Sequence, residues 1–504
     1  MTAKKAIVQI DHENVNLILI ECKDNLYFNI IDVFSDSIPL VEDIDKNGIL
    51  RPVLIKDLLK ILKMYRRICD NNSITEIYSY SGSFFAEAKN NKSISEEIYN
   101  TCGFLLNILT PEDEMKNTFI GAVNSSDVQK GVYFYVGSRF CYLLNFNRRN
   151  ILNSVIFPFG VFQVSKILNS EGDLQAKKQE ISNLFNSYFS KADFVKSIDE
   201  ETEILSSGNT MLSIGKIARK ATRYPLEMEN NYVLSLENFN NVYSLVEGLG
   251  LDNTKKIKGI SSESADRVYA GAILAKLFVD GLGAKQVSIS SDKLLDGLIS
   301  TSVIPAINER PLSDMFIYSL ENISAFFSGP NSNNNKVYEL SINVFKQLKV
   351  VHKLPRNYIK PLRIAGYLYD CGKRINFDNA IKNSFEVILN SKIKGASQKE
   401  ILLGAFACKL QDLDNFNLSE WVRYSSLVTE EDSVAVKKVG VLIQLSAALD
   451  ASKSGAVDDL NCDILGDSII VKTIVNKEAD FEIKEAMKVN KNFKKVFTKF
   501  IEVI

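Results

Sequence analysis

The chain has 504 residues, of which 60 are basic and 61 acidic, so its formal net charge at neutral pH is −1. This balance argues against a protein that coats duplex DNA or binds membranes through a polybasic surface. At about 150 residues per domain, the length predicts roughly three domains. We find no apolar run of the ~18 residues that cross a membrane and no secretory signal at the start, and therefore expect a cytoplasmic protein.

The N-terminal 125 residues predict a domain with a mixed β-sheet. Short segments rich in β-branched and aromatic residues alternate with charged turns, and segments with helical spacing of apolar residues lie between them. Strands are predicted over 6–11, 16–22, 27–35, 74–82 and 104–109, and helices over 54–69, 93–102 and from Thr110 onward. The resulting order, β-β-β-α-β-α-β-α, is typical of an α/β domain.

The same order begins again at residue 126. Three strands are predicted over 131–138, 140–147 and 154–160, followed by helices and further strands. We therefore predict a duplicated α/β unit, residues 1–125 and 126–305, with a cleft between its halves. A segment rich in Gly, Pro, Asn and Ser predicts a linker over 306–335. Over 336–504 we predict a mostly helical domain with a small α+β tail.

Three turns carry glycine or small polar residues where a strand ends: 10–16, 135–140 and 206–211. Turns that face each other across a cleft can bind phosphate through their backbone N–H groups. The candidate phosphate-binding residues are Asn14, Gly137, Ser138, Gly208, Asn209 and Thr210. Ordinary hairpin turns of a mixed sheet would explain the same residues, so each turn alone leaves both interpretations open.

Three candidate catalytic residues, Glu112, Asp113 and Glu114, open a predicted helix. Acidic residues in a first helical turn are favoured by the helix dipole, which explains them without a function. The alternative is a general base that orients water, or a magnesium ligand. The chain has only two histidines, His12 and His352, and this scarcity predicts no histidine-led hydrolase centre.

Four basic residues follow the third turn: Lys216, Arg219, Lys220 and Arg223. Their spacing places them on one face of a predicted helix. Such a face is either simply solvated or a track for a polyanion, and the adjacent glycine turn favours the second interpretation.

In their order, these segments resemble the exopolyphosphatase/guanosine pentaphosphate phosphohydrolase (Ppx/GppA) family over nearly the whole chain. The family's D-I-G-S-N-S turn resembles residues 11–16, its A-T-S-A-x-R-E-A-x-N segment resembles 81–90, and its I-S-G-x-E-E-A segment resembles 109–115. The family's D-I-G-G-G-S-T-E-L turn resembles residues 135–143, and its G-G-T turn resembles 208–210. Its S-D-x-x-L-R-E-G segment resembles 290–297, and the late signature of its helical domain resembles 445–452.

The resemblance implies a duplicated ribonuclease-H-like pair, as in actin and Hsp70, followed by a helical HD-like domain with an α+β tail. It implies release of the terminal phosphate from inorganic polyphosphate or guanosine pentaphosphate. In that reaction Mg²⁺ neutralises the phosphate oxygens, and a carboxylate among residues 112–114 orients the attacking water. Asp11 is the candidate metal ligand that remains, and we expect a homodimer with no duplex nucleic acid or membrane among its partners.

Several positions depart from the family's pattern and lower the expected activity. The metal-binding Asp and Glu of the family are Tyr135 and Tyr142 here, and a phenol is uncharged at neutral pH. The family's phosphate-holding arginine in the A-T-S-A segment is Ala86 here, and its arginine before the late acidic-Gly pair is Leu295. In the opening turn, the family's glycine is replaced by Glu13, which would repel phosphate. The ligand positions of the HD-like domain are Tyr369, Ala380, Asn383 and Ala447, so we expect no metal there.

Two hypotheses remain open beside a slow or inactive phosphohydrolase. One is a non-catalytic regulator or scaffold that binds polyphosphate or guanosine tetraphosphate. The other is a purely structural, actin-like interaction module. The basic residues between 216 and 223 separate these two hypotheses, because a structural module does not need them.

Overall fold

The structure, a computed structural model, describes residues 2–253, 265–327, 334–410, 413 and 418–504. The chain divides into two compact units. The first comprises Met1–Ala218 and Val233–Leu312, and the second comprises Arg219–Tyr232 and Ser313–Ile504. In the part of the chain that is described, no helix has both the length and the apolar character needed to cross a membrane.

The first half of the first unit is a five-stranded mixed sheet. Its strands are β1 (Thr2–Ile10), β2 (Asn14–Lys23), β3 (Tyr27–Ser37), β4 (Glu76–Ser81) and β5 (Leu106–Ile108), and its helices are α1 (Leu40–Asn47), α2 (Pro52–Asn71), α3 (Asn91–Cys102) and α4 (Pro111–Ser125). The strand order is β3-β2-β1-β4-β5. The first three strands are antiparallel, and β4 and β5 run parallel to β1. The order is the predicted one with one additional helix, α1, which the sequence analysis did not predict.

The second half repeats this arrangement. Its strands are β6 (Lys130–Val136), β7 (Cys141–Asn147), β8 (Asn150–Phe157), β9 (Ile204–Ser207), β10 (Tyr232–Ser235) and β11 (Gln286–Ser290). Its helices are α5 (Val161–Asn169), α6 (Leu174–Phe189), α7 (Asn209–Ala221), α8 (Leu236–Asn253), α9 (Ala265–Gly281), α10 (Leu294–Leu298) and α11 (Ala306–Glu309). The strand order is β10-β11-β9-β6-β7-β8, which without the edge strand β10 equals the order of the first sheet. The predicted duplication is therefore confirmed.

Two glycines bring α4 and α10 into close contact. A Cβ at Gly297 would lie 1.8 Å from the carbonyl oxygen of Asn117, and one at Gly121 would lie 2.6 Å from the carbonyl oxygen of Lys293. Both clashes involve backbone atoms, so no change of rotamer relieves them. The contact between the two helices therefore depends on the absence of side chains at these positions.

This contact predicts a large loss of stability on Gly297→Ala. Overpacking at a backbone contact costs about 3 kcal/mol or more, and urea unfolding measures the loss. Gly248→Ala is the matched control, because that helical glycine has no neighbouring atom within 4 Å of an added Cβ. The control should be neutral or stabilising, since alanine favours a helix. Equal unfolding midpoints for the two variants would contradict the close contact.

The second unit is mostly helical, as predicted. Its helices are α12 (Met315–Phe327), α13 (Asn334–Gln347), α14 (Lys349–His352), α15 (Ile359–Leu368), α16 (Ala380–Asn390), α17 (Gln398–Lys409), α18 (Leu418–Val422), α19 (Glu430–Ala448), α20 (Asp480–Lys488) and α21 (Asn490–Phe497). A three-stranded sheet in the order β12-β13-β14 forms the tail, with β12 (Val457–Leu465), β13 (Ser468–Val475) and β14 (Phe500–Val503). Helix α17 packs against α15, α16 and α19, and nearly all its side chains are buried.

The linker predicted over 306–335 needs correction. Residues 315–327 form α12, and its Phe316 and Leu320 are buried in the core of the second unit. Apolar burial thus gives this segment a defined helix, although Gly, Pro and Asn follow it in the sequence. Residues 328–333, which include most of that Gly/Pro/Asn-rich stretch, lie outside the described residues.

Candidate active site

Turns at the ends of β6 and β9 meet around the ring of Tyr135. A Cβ at Gly137 would lie 2.4 Å from Cε1 of that ring, and a Cβ at Gly208 would lie 2.5 Å from Cε2. The ring therefore lies between the two glycines and fills the space between them. The structure thus brings two of the predicted phosphate-binding turns together, with a tyrosine where a ligand would have to enter.

Tyr135 and Tyr142 form a stacked pair at this point. They are directly opposite each other on β6 and β7, with ring centroids 5.3 Å apart and ring planes 15° apart. Burial, and then the charges of Asp11 and Glu114, raise the pKa of Tyr135 above its ordinary value. Burial and the Glu114 charge likewise raise the pKa of Tyr142. Both phenols are therefore uncharged at neutral pH.

Glu114 is the carboxylate of α4 that lies in this cleft. Its residue is only 8% exposed, its Oε1 accepts a hydrogen bond from the backbone N–H of Ser83, and its Oε2 accepts one from the Tyr142 hydroxyl at 3.4 Å. Burial raises the pKa of Glu114 above its ordinary value, although the Ser83 hydrogen bond and the nearby His12 act in the opposite direction. A carboxylate with a raised pKa in a cleft is suited to act as a general base near neutral pH.

The other two candidate carboxylates are placed differently. Glu112 and Asp113 are exposed, and Asp113 exchanges hydrogen bonds with Thr110 in a capping box at the start of α4. The helical rotation of about 100° per residue directs the three side chains to different sides. Only Glu114 joins the residues around Tyr135.

Asp11 and His12 form a pair that the sequence analysis missed. One oxygen of Asp11, Oδ1, accepts a hydrogen bond from the His12 backbone N–H at 2.7 Å and lies 2.6 Å from Nδ1 of its ring. Burial acts to lower the pKa of His12. The Asp11 and Glu114 carboxylates together outweigh burial, so the pKa of His12 lies above its ordinary value. Burial tends to raise the pKa of Asp11, yet His12 holds it below its ordinary value. The sequence feature that could have indicated this pair is the Asp-His dipeptide directly after a buried strand.

Ion pairs join the two halves of the first unit beside this site. Arg139, in the turn after β6, binds Asp45 at 2.8 Å and also Glu87. Lys166 of α5 binds Asp45 at 2.9 Å. Arg139 and Lys166 are thus neutralised by carboxylates of the other half, so neither is free to bind a phosphate.

Glu13, which was expected to repel phosphate in the opening turn, is paired with Arg267 of α9. The remaining predicted phosphate-binding residues have mainly structural contacts. The backbone carbonyl of Asn14 accepts the Asp11 N–H at 2.8 Å, and that of Ser138 accepts the Phe162 N–H at 2.9 Å. At the start of α7, Asn209 is exposed, and the side chain of Thr210 lies against Gly271.

The four basic residues after Gly208 do not form one solvated face, which corrects the predicted stripe. Lys216 and Lys220 are exposed on α7, but Arg219 is only 7% exposed and donates to the Met228 carbonyl at 3.1 Å. Arg223 is exposed beyond the end of the helix, with a left-handed φ of 53°. The helix ends at Ala221, and Arg219 in its last turn bonds to the segment that follows the helix.

In the second unit, Asp370 follows α15 and is buried between lysines. Lys453 forms an ion pair with its Oδ2, and Lys373 lies 3.6 Å from the same oxygen. Tyr369 is buried beside it, and burial followed by the Asp370 charge raises the pKa of Tyr369. The positions Ala380, Asn383 and Ala447 lie in α16 and α19. An ammonium group thus supplies the positive charge next to this buried carboxylate.

This arrangement predicts that Lys453→Met destabilises the second unit. Removing Lys453 leaves the buried Asp370 carboxylate with only the more distant Lys373 and costs about 1–3 kcal/mol. Lys373→Met is the matched control, because its side chain is 44% exposed and its nitrogen is farther from Asp370. Thermal unfolding measures the stability of both variants. Repeating the measurement with a chelator tests whether this unit holds a metal. A melting temperature that falls with the chelator would contradict the prediction that this unit holds no metal.

Part of the first unit matches the model of a known protein family. Residues 19–138 match the model of the Ppx/GppA phosphatase family. The matched range ends at Ser138 and therefore includes Glu114 and Tyr135.

Solved structures show the same fold. A Ppx/GppA family member from Aquifex aeolicus has a TM-score of 0.53 at 15% identity and covers 61% of this chain and 99% of its own. An exopolyphosphatase from Cytophaga hutchinsonii has a TM-score of 0.53 at 14% identity, with 60% and 98% covered. The N-terminal part of the chain thus has the actin-like α/β fold of the Ppx/GppA proteins.

A curated relative is the bifunctional 3-dehydroquinate synthase/phosphatase of Fusobacterium nucleatum. It is 23% identical over an alignment of 313 positions, which covers 59% of this chain and 44% of the relative. The chain therefore spans less than half the length of this relative.

Ppx/GppA enzymes generally depend on a divalent metal ion, but the cleft of this chain does not fit one. Tyr135 and Tyr142 are neutral phenols, and Oδ1 of Asp11 already accepts hydrogen bonds from His12. Within the described ranges, no three His, Cys, Asp or Glu side chains are grouped so that they could hold an ion. Hard cations such as Mg²⁺ need several oxygen ligands, of which carboxylates are the strongest.

Proposed function

We propose that this chain is a divergent Ppx/GppA phosphohydrolase that releases terminal phosphate slowly from inorganic polyphosphate or guanosine pentaphosphate. The observation that carries the proposal is the position of Glu114. It is a buried carboxylate with a raised pKa, and it accepts a hydrogen bond from Tyr142. The Tyr142 ring stacks on Tyr135, which lies between Gly137 and Gly208.

The proposed reaction uses Glu114 as a general base. Its carboxylate accepts a proton from a water molecule, whose oxygen forms a bond to the terminal phosphorus. The bridging P–O bond then breaks, and the shortened phosphate chain leaves with the electron pair. Positioning a base in this way contributes about 10²- to 10⁴-fold to a rate.

Two features of the cleft explain why turnover should be slow. The Tyr135 ring occupies the space between Gly137 and Gly208, so a phosphate must displace it. Arg139 is already bound to Asp45 and Glu87, so it is not free to neutralise charge on the transferred phosphoryl group.

The alternative is a non-catalytic regulator or scaffold that binds polyphosphate or guanosine tetraphosphate. The exposed residues Lys216, Lys220 and Arg223 favour it, since they could contact a long polyanion. Replacing these three residues by alanine would then weaken polyphosphate binding about tenfold, which requires only ~1.4 kcal/mol in total. In either case we propose a homodimer as the assembly.

The decisive experiment measures phosphate release from long-chain polyphosphate, with and without Mg²⁺, beside a calorimetric titration with the same ligand. Slow release that saturates with substrate supports the phosphohydrolase. Salt-sensitive binding without any release supports the regulator. If neither release nor binding occurs, the chain is a structural module and both proposals are wrong.

A further inference from the structure

Three cations in the second half of the first unit are paired with carboxylates of the first half. The cations are Arg139, Lys166 and Arg267, and their partners are the carboxylates of Asp45, Glu87 and Glu13. In each of these pairs the second half supplies the positive group and the first half the negative one. Opposite charges therefore hold the facing surfaces together, and the positive charges are of the kind that a phosphate chain needs.

Arg139 binds two separate carboxylates at the same time. Its Nη1 donates to Oδ1 of Asp45 at 2.8 Å, and its Nη2 donates to Oε2 of Glu87. The second oxygen of Asp45 accepts a hydrogen bond from Nζ of Lys166 at 2.9 Å. A guanidinium uses the same planar set of N–H donors for carboxylates and for phosphates. Two neighbouring phosphates of a chain can therefore take the places of these two carboxylates.

The two cations belong to the surface that carries Gly137. Arg139 follows this glycine in the turn after β6, and Lys166 lies on α5. The turn and the helix are joined by a hydrogen bond from the Val161 N–H to the Gly137 carbonyl at 3.0 Å. Arg139 and Lys166 are thus held next to the turn where the Tyr135 ring lies.

Solvent reaches these ion pairs. The Lys166 side chain is 64% exposed, that of Glu87 is 43% exposed, and that of Arg139 is 17% exposed. Ion pairs at such positions contribute little to stability, because water and salt screen them. A polyanion that carries several charges can therefore replace the carboxylates at both cations.

We propose that Arg139 and Lys166 form a binding site for the phosphate chain of the substrate, and that Asp45 and Glu87 block this site until the chain displaces them. The inference rests on the proposed function, which supplies a polyanion as the ligand. It adds a regulation of the same cleft, since the first half competes with the substrate for the cations of the second half. Binding exchanges two carboxylates for two phosphates at Arg139.

A calorimetric titration with inorganic tripolyphosphate tests the proposal on the double variant Asp45→Asn and Glu87→Gln. Both changes keep the shape of the side chain and remove its charge, so Arg139 and Lys166 are no longer neutralised. We expect the dissociation constant to fall at least tenfold. Adding Arg139→Gln to the double variant should remove most of this gain. A gain that persists without Arg139, or no gain in a folded double variant, overturns the proposal.

A second double variant, Asp193→Asn and Glu200→Gln, is the matched control. It also removes two carboxylates from ion pairs, since Asp193 lies 2.8 Å from Nζ of Lys196 and Glu200 lies 2.6 Å from Nζ of Lys285. We expect its dissociation constant to be nearly unchanged. An equal gain in this control would mean that net charge alone acts, and would overturn the proposed site.

Melting temperatures show whether the variants fold. If Asp45→Asn with Glu87→Gln does not fold, Asp45→Asn alone decides, because both cations share this carboxylate. We expect tighter binding from the single change, by a smaller factor than from the double one. An unchanged dissociation constant in the folded single variant overturns the proposal.

The outcomes separate this inference from the proposed function. Phosphate release together with equal dissociation constants in all folded variants overturns the blocked site and leaves the phosphohydrolase standing. Tighter binding of the double variant without phosphate release in any variant overturns the phosphohydrolase, and the site then belongs to a regulator that binds a polyanion. Absence of both binding and release overturns both.

Discussion

Replacing Glu114 by glutamine is expected to reduce phosphate release from polyphosphate about 100-fold or more. Glutamine has nearly the same shape but cannot accept a proton from water, so the variant loses the general base. Its amide can still occupy the position next to Ser83, whose N–H donates to Oε1. The loss should therefore appear in kcat, with little change in the binding of the substrate.

Glu112→Gln and Asp113→Asn are the matched controls for this change. Both side chains are exposed at the start of α4, and Asp113 serves the capping box with Thr110. We expect near-normal phosphate release from both, with a stability loss of about 1 kcal/mol for Asp113→Asn. Full activity in Glu114→Gln, or its loss in Glu112→Gln, would show that the base lies elsewhere.

The pH dependence of the rate follows from the same residue. A general base works in its deprotonated form, so the rate falls as the pH drops through its pKa. An ordinary glutamate has a pKa of about 4.3. Because burial raises the pKa of Glu114, the fall in rate should begin at a higher pH than it would for an ordinary glutamate. Initial rates across the acidic range, compared with the melting temperature at each pH, measure it.

Replacing Tyr135 by alanine is expected to tighten the binding of tripolyphosphate at least tenfold. The ring fills the space between Gly137 and Gly208, and its removal opens the backbone of both turns to a phosphate. Losing a large aromatic side chain should also lower stability by about 3 kcal/mol, so the titration is done well below the melting temperature.

Tyr142→Phe is the control for Tyr135→Ala. It removes a hydroxyl from the stacked pair but leaves the ring in place, so the space between the glycines stays closed. We expect its affinity for tripolyphosphate to equal that of the unchanged chain. A folded Tyr135→Ala variant with unchanged affinity would mean that the ring does not obstruct a phosphate site.

Local sequence patterns were sufficient to predict the strands and their duplication. Each strand is short and apolar and ends in a charged or glycine turn, and three consecutive strands precede each α/β segment, so the order could be derived without tertiary information. Glycines at 137 and 208 marked the turns correctly, because Gly208 has a φ of 95° and Gly137 leaves room for the Tyr135 ring.

The contents of the cleft could not be predicted in this way. Tyr135 is close to both glycines only because β6 and β9 are neighbours in the sheet. The surroundings of His12 include Glu114 and Phe162, which come from distant parts of the chain. Composition gave the number of histidines but not their surroundings, and the surroundings decide what an imidazole can do.

The basic residues after Gly208 show the same limit. Helical spacing placed Arg219 beside Lys216 and Lys220, but the segment that follows supplies the Met228 carbonyl and the Glu229 carboxylate to its guanidinium. Burial against a later part of the chain therefore overrides the periodicity of the helix. Spacing alone cannot distinguish a solvated charge from one that ties two segments together.

A crystal structure of Glu114→Gln with tripolyphosphate tests the central claim most directly. The account predicts a phosphate beside the turns that contain Gly137 and Gly208, with the Tyr135 ring displaced. Tripolyphosphate bound away from these turns, with Tyr135 still between the two glycines, would contradict it.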